Sequence, residues 1–224
     1  MTVNWTPLDR ELELWQDTGL QLPLWWRDDD AIAPTPALAR LSELSAALEL
    51  PVHIAVIPAG AGQDLAAYVA DHPHLIPVTH GWAHRSHAPR GEKKAEFGSH
   101  RPAAKALADI AQGQTRLQDL FGPALRPMFV PPWNRIAPEI VQGLAGLGFH
   151  YLSTATPRAA QFAAADLVQV NSHLDPIAWR GHRGLVAPDR LLTKLVGHLE
   201  DRRLGKTDAT EPFGLLTHHL VHDE

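Results

Sequence analysis

Leu24-Trp25-Trp26-Arg27-Asp28-Asp29-Asp30 runs from apolar residues straight into three consecutive carboxylates. An apolar run of this length bounded by charge reads as a buried strand, expected over residues 20–26, that delivers an acidic cluster to its C-terminal end. Adjacent like charges repel, and a strand gains nothing from them. Two readings resolve the conflict. A divalent cation can hold the carboxylates ionised. Alternatively, they can serve as the N-terminal cap of a helix that follows through Pro36, Leu38 and Leu41.

The chain on either side sets the context. Helical spacing predicts helices over 6–18, 35–50, 103–121, 138–147 and 188–203, with a shorter one around 64–71. Apolar runs predict strands over 52–57, 75–79, 128–130, 149–154, 167–171 and 213–217. From His80 to Arg101 no apolar periodicity holds, and charge, His and Gly accumulate. A loop of that length in a compact domain is more often functional than not. Strands of four to seven residues alternating with helices, without clean in–out alternation, predict an α/β fold with a mostly parallel sheet, open or closed into a barrel. In either form the site lies at the C-terminal ends of the strands. Asp28-Asp29-Asp30, His80, Pro132-Trp133 and His218 each follow a predicted strand, so they are expected at one mouth.

Composition narrows the function classes. The 224 residues carry a net charge of −5 and no cysteine. This predicts one domain spanning 1–224, no basic field for nucleic acid, no disulfide and no thiolate metal site. No basic-then-apolar leader and no membrane-length apolar run occur, so a cytoplasmic location is expected. Histidine, at 14 copies, and tryptophan, at 7, stand out; they suit metal ligation and the lining of a pocket.

His80 and His84 stand four residues apart, one helical turn, so both can reach one ion. With Asp29 they make a two-His, one-carboxylate set with open positions, which suits Zn²⁺ and equally a non-haem iron centre. His218 and His219 end the last strand on opposite sides, one toward the mouth. His72, His74, His87, His100 and His222 are expected to be solvated bystanders. Asp175, four residues before Trp179, either orients a partner or caps a turn.

These stretches resemble the polysaccharide deacetylases of the NodB-homology type, carbohydrate esterase family four. That family's Thr-Phe-Asp-Asp-Gly-Pro motif is matched by Trp26-Arg27-Asp28-Asp29-Asp30-Ala31 with Thr35-Pro36 downstream. Its His-(Ser/Thr)-x-x-His motif is matched by His80 to His84, with Gly81 at the hydroxyl position. Its Arg-x-Pro-(Tyr/Trp) motif is matched by Val130-Pro131-Pro132-Trp133, with Val130 for the arginine. Its Asp-x-x-Asp-Trp motif is matched by Asp175 to Trp179, with Ala178 for the second aspartate. Its Leu-x-His motif is matched by Leu216-Thr217-His218. Together they span residues 24–219, in a motif-bearing part of about 20–220.

The resemblance implies a distorted (β/α) barrel with outer helices and a hydrolase that removes an acetyl or other small acyl group from an N-acylated amino sugar or related amide. It implies a divalent metal, most simply Zn²⁺, on Asp29, His80 and His84. It also implies Asp28 as base, His218 as acid, and Trp133, Pro132, Leu216, Asp175 and Trp179 around the substrate. The triple aspartate equally permits a shift of one residue, with Asp29 as base and Asp30 as ligand; in the unshifted register Asp30 stands for a family glycine. Arg27, Arg126 and Arg135 are candidates to replace the missing arginine. The altered motifs leave open a non-catalytic relative that binds a carbohydrate-like ligand, and the donor set leaves open an iron oxygenase.

Overall fold

The structure, a computed structural model, describes residues 3–179 and 183–221; His222 lies outside them. Eight strands make one sheet: β1 Leu24–Ala31, β2 Val52–Val56, β3 Leu75–His80, β4 Met128–Val130, β5 Tyr151–Leu152, β6 Phe162–Ala164, β7 Leu167–Gln169 and β8 Phe213–Thr217. Their order is β6-β7-β5-β4-β3-β2-β1-β8. Every neighbouring pair is parallel except β6 with β7. The helices are α1 Thr6–Asp17, α2 Pro36–Ala47, α3 Gln63–Asp71, α4 Ala103–Phe121, α5 Pro138–Leu144 and α6 Pro188–Arg203. The α/β reading therefore holds. β6, three residues long and only partly buried, is the strand that apolar runs did not reveal.

The two ends of the sheet meet through chain that follows β7. His173 N–H donates to the Gly214 carbonyl at 2.7 Å, Leu216 N–H donates to the Leu174 carbonyl at 2.8 Å, and Leu174 bridges Leu215 in parallel. Gly214 permits this approach, because a Cβ there would lie 2.5 Å from both the Asn171 carbonyl oxygen and the Trp25 indole nitrogen. β8 is thus held by β1 on one side and by residues 172–174 on the other, a ring of hydrogen bonds completed by a short link.

Burial on both faces explains the missing alternation in the strands. One face of β1 and β2 packs Trp26, Val52, Ile54 and Val56 against Leu38 and Leu41 of α2, Leu65 and Val69 of α3, and Leu117 of α4. The opposite face collects Trp25, Ala55, Val78, Met128 and Val130 into an inner cluster. A third cluster joins α4 and α5 to β4 and β5 through Ile110, Ile140, Leu144, Phe129 and Leu152. Beside the closing link, Glu211 is fully buried and accepts from the backbone N–H groups of Arg158 and Asn171 at 2.9 Å each. Its carboxylate also meets His173 at 3.1 Å and Arg202 at 3.9 Å. Among the described residues no helix is long and apolar enough to cross a membrane.

The opening ambiguity is settled by the cap of α2. Thr35, in extended backbone, accepts the Leu38 N–H at 3.1 Å, and Pro36 fills the first turn. The aspartates cap nothing; β1 runs through all three of them to Ala31.

Candidate metal and catalytic site

Strand alternation sorts the first two aspartates. Trp26 and Asp28 take one face of β1, while Trp25, Arg27 and Asp29 take the inner face. Asp28 is completely buried. Its Oδ2 accepts the Thr217 hydroxyl at 2.6 Å and the His219 N–H at 3.0 Å, and its Oδ1 lies 2.5 Å from His219 Nδ1. It grips the residues before and after His218.

Asp29 pairs with Arg27, Oδ1 to Nε at 2.9 Å and Nη2 to Oδ2 at 3.1 Å. Arg27, itself without exposure, also donates to Asn134 Oδ1 and Ser153 Oγ at 2.7 Å each.

Simple alternation would send Asp30 back to the face of Asp28. It does not go there. The pairing of β1 with β2 slips between Asp29 and Ala31, and Asp30 adopts φ +77. A bulge of this kind re-aims a side chain at a strand end. It sets Asp30 Oδ1 3.2 Å from His80 Nε2 and 3.3 Å from His84 Nε2. The expectation of Asp28 as base and Asp29 as ligand therefore does not match the geometry: Asp30 meets the histidine pair, Asp29 stands beside it, and Asp28 is turned away. The shifted register, left open by three like residues, matches where the carboxylates lie.

The His80–His84 stretch also departs from expectation, for it is not a helical turn. β3 ends at His80, and Gly81 (φ +58) and His84 (φ +53) fold the chain back. Gly81 is required twice. Its backbone is left-handed, and a Cβ would lie 2.4 Å from Glu96 Oε2 and 2.6 Å from the Pro132 ring. Glu96 is 1% exposed and accepts the N–H groups of Trp82 at 3.3 Å, Ala83 at 2.9 Å and Arg85 at 3.4 Å. That carboxylate shapes the loop carrying His84.

The donor set fits a divalent cation. The ligand atoms of Asp30, His80 and His84 all lie within 4.8 Å of one another. Asp30 Oδ1 is buried, and the polar atoms facing it are the Nε2 atoms of His80 and His84. His80 Nδ1 donates to the Val130 carbonyl at 2.9 Å, the carbonyl being able only to accept. This fixes the ring and presents Nε2 to the site, as ligating imidazoles are commonly fixed. The neighbouring imidazoles keep the carboxylate ionised. Burial opposes charge on Asp30, yet the hydrogen bond and charge of His80, with His84 and His218 behind it, lower its pKa to about 2. Burial works against a charged His80 too, but Asp29 and Asp30 outweigh it and raise its pKa. Burial, and then His80, lower that of His84.

A cavity of about 360 Å³ opens over this cluster, lined by Asp29, Asp30, His80, His84, Trp133 and His218, with Asn134, Arg135, Asp175, Trp179 and Arg183 around them. His218 Nε2 stands 4.0 Å from Asp29 Oδ2. Trp133 packs on His84 at 4.3 Å between ring centroids, and Trp179 meets His218 edge-on at 4.7 Å. Trp179 Nε1 donates to Asp175 at 2.6 Å. Of the residues expected here, Asp28, Pro132 and Leu216 do not line the cavity: Pro132 packs beside Gly81, and Leu216 is buried in register with Arg27.

No protein-family model matches the chain, and no curated protein matches it in sequence. Solved structures do. A Mycobacterium smegmatis protein assigned to the polysaccharide deacetylases superposes with a TM-score of 0.66 over 90% of this chain and 78% of its own, at 17% identity. The fold is that of the polysaccharide deacetylases. The chitin deacetylase of the fungal pathogen Colletotrichum lindemuthianum shares the fold at a TM-score of 0.52 and 13% identity, over 90% of this chain and 76% of its own. So does a mutant of BA3943, a family-four pseudoenzyme with restored activity, at 0.56 and 13%, over 89% and 57%.

Within the polysaccharide-deacetylase fold, the departures from the family motifs acquire positions. Arg27, one of three candidates to replace the missing arginine, is the one that reaches an aspartate. Arg126 instead donates to the Pro123 carbonyl and Arg135 to that of Lys94. Val130, at the arginine position, contributes its carbonyl to His80. Gly81 cannot carry the family's hydroxyl side chain beside Glu96 and Pro132. Among the described residues His218 Nδ1 is buried without a hydrogen-bond partner, and Ala178 has no side-chain acceptor to offer. Glu96 and Asn134 went unseen in the sequence; the only trace of Glu96 was a glycine where a hydroxyl residue was expected. His72 and His74, expected to be solvated, are half-buried and bonded to the Tyr68 carbonyl at 2.7 Å and Ser42 at 2.8 Å respectively.

Proposed function

We propose that the protein is a metal-dependent hydrolase that removes an acetyl or other small acyl group from an N-acylated amino sugar or a related amide. The observation that carries this is the cavity floor, where Asp30, His80 and His84 converge beside an Asp29–His218 pair. In this reading Asp30, His80 and His84 hold a divalent ion, Zn²⁺ being the simplest fit to two imidazoles and one carboxylate. Such an ion supplies Lewis acidity, polarising an amide carbonyl and lowering the pKa of water to about 7.

The remaining roles fall to the chain's own groups. Asp29, held by both arms of the Arg27 guanidinium, takes the proton from the attacking water. The amide carbon gains that oxygen and loses the C–N bond. His218, in the same cavity with Nε2 4.0 Å from Asp29, gives a proton to the departing amine, so acid and amine leave balanced. Trp133 and Trp179 confine the substrate by packing against His84 and His218. Asp28 has no contact with the cavity and acts as a clamp that sets the height of His218.

The same donor set serves iron oxygenases, which are built on all-β double-sheet barrels. A parallel α/β sheet and a base–acid pair flanking the cluster favour hydrolysis. A pseudoenzyme shares this fold, so catalysis has to be measured. Zinc-loaded protein is expected to release acetate from N-acetylated amino sugars and to stop when a chelator is added. Metal-loaded protein that releases no acyl group from any of them would leave the reading of a non-catalytic, ligand-binding relative.

A further inference from the structure

We infer that the substrate carries an oxyanion, a carboxylate or phosphate, which is held by Arg135 and Arg183 at the lip of the cavity; this rests on the cavity being the acyl-hydrolase site. Both arginines line it. Among the described residues neither pairs with a carboxylate, whereas Arg40, Arg101, Arg158 and Arg203 each do. The lining carboxylates are already engaged. Asp29 belongs to Arg27, Asp30 to the histidines, and Asp175 accepts both the Ile177 N–H at 2.8 Å and the Trp179 indole. In a chain of net charge −5, the mouth of the cavity carries two arginines that, among the described residues, form no ion pair, with Asp175 already turned to the Ile177 N–H and the Trp179 indole.

Their placement is organised. Trp179 packs on His218 and carries Arg183 at 5.6 Å from its ring; Trp133 packs on His84 and carries Lys94 at 5.8 Å. Each tryptophan therefore connects an imidazole of the site to a cation. Cations over aromatic faces are held without losing their outward hydrogen-bonding capacity. Arg135 is steadied by one bond, Nη1 to the Lys94 carbonyl at 2.8 Å, leaving the rest of its fork available. It also forms the wall shared with a neighbouring hollow of about 460 Å³ that contains no carboxylate and no imidazole. A guanidinium fork matches carboxylate and phosphate oxygens in pairs, and a neutral sugar hydroxyl gains much less from it.

Calorimetric binding of N-acetylglucosamine, N-acetylglucosamine 6-phosphate and N-acetylmuramic acid to the zinc-loaded full chain tests this, with the last two separating phosphate from carboxylate. At least one anionic sugar is expected to bind about tenfold or more tightly than the neutral one. R135Q and R183Q are each expected to remove about tenfold of that preference, and R135K to restore part of it. Equal binding of all three sugars overturns the inference. So does a preference that survives both substitutions, because it then belongs to the metal. Binding is read in the Asp29→Asn background, which should keep zinc without turnover, and acyl release in the wild type, so anion-selective binding with no wild-type acyl release contradicts the hydrolase reading and not this one.

Discussion

Replacing Gly81 with alanine should damage this protein more than the same change at a glycine of similar backbone. At Gly81 two costs combine. A side chain at φ +58 costs about 1–2 kcal/mol for left-handed backbone. A Cβ 2.4 Å from Glu96 Oε2 and 2.6–2.7 Å from the Pro132 ring adds an overpacking cost of about 1–3 kcal/mol, since a proline ring cannot rotate away. The sum is about 2–5 kcal/mol. Gly19, at φ +67 with nothing within 4 Å of a built Cβ, should lose the backbone part alone, about 1–2 kcal/mol. At roughly 2–4 °C per kcal/mol for a chain of this size, urea and thermal unfolding separate the two variants. Glu96 would also shift from the N–H groups of the loop carrying His84, so Gly81→Ala should weaken zinc affinity while Gly19→Ala does not. Equal destabilisation of the two variants would refute the reasoning.

Asp28→Asn should cost about 1–3 kcal/mol by upsetting a buried acceptor of three hydrogen bonds, keep zinc, and lower turnover through displacement of His218; loss of zinc from this variant would contradict the clamp. Glu211→Ala should cost about 3–5 kcal/mol by urea unfolding, because it removes the buried carboxylate beside Arg202 and leaves the His173 ring and the N–H groups of Arg158 and Asn171 without their acceptor, and a loss under 1 kcal/mol would speak against the buried network. The pH dependence of stability has a named contributor. Burial, then the charges of His173, Lys194 and Arg202, lower the pKa of His198 from 6.5 to about 4. The unfolded chain takes up a proton there below 6.5 and the folded one does not, so stability from this group is intact above pH 6.5 and lost as pH falls to about 4. His198→Gln should flatten the urea midpoint between those two values; an unchanged slope would show that His198 titrates normally when folded.

The sheet and most helices were legible because burial on both faces leaves continuous apolar runs, and Pro36, Pro138 and Pro188 mark helix starts. Residues at strand ends were legible as one mouth for the same reason. The division of labour within Asp28-Asp29-Asp30 was not. Strand period assigns Asp28 and Asp29 to opposite faces correctly, but a bulge at Asp30 obeys no period, and nothing in three identical residues announces it. Glu96 was hidden because it acts through backbone N–H groups of residues 11 to 14 positions earlier, which leave no spacing signature. Arg27 could have been singled out on physical grounds. A guanidinium inside an apolar strand must find a counter-charge, and Asp29 is the neighbour on its own face.

Zinc content by elemental analysis, measured side by side in the wild type and in the Asp28→Asn, Asp29→Asn and Asp30→Asn variants, tests the assignment at the centre of this account. Wild type, Asp28→Asn and Asp29→Asn should each retain about one ion per chain, as expected for a single site, Asp29→Asn should lose acyl release, and Asp30→Asn alone should lose the metal. Zinc retained by Asp30→Asn and lost from Asp29→Asn would contradict it.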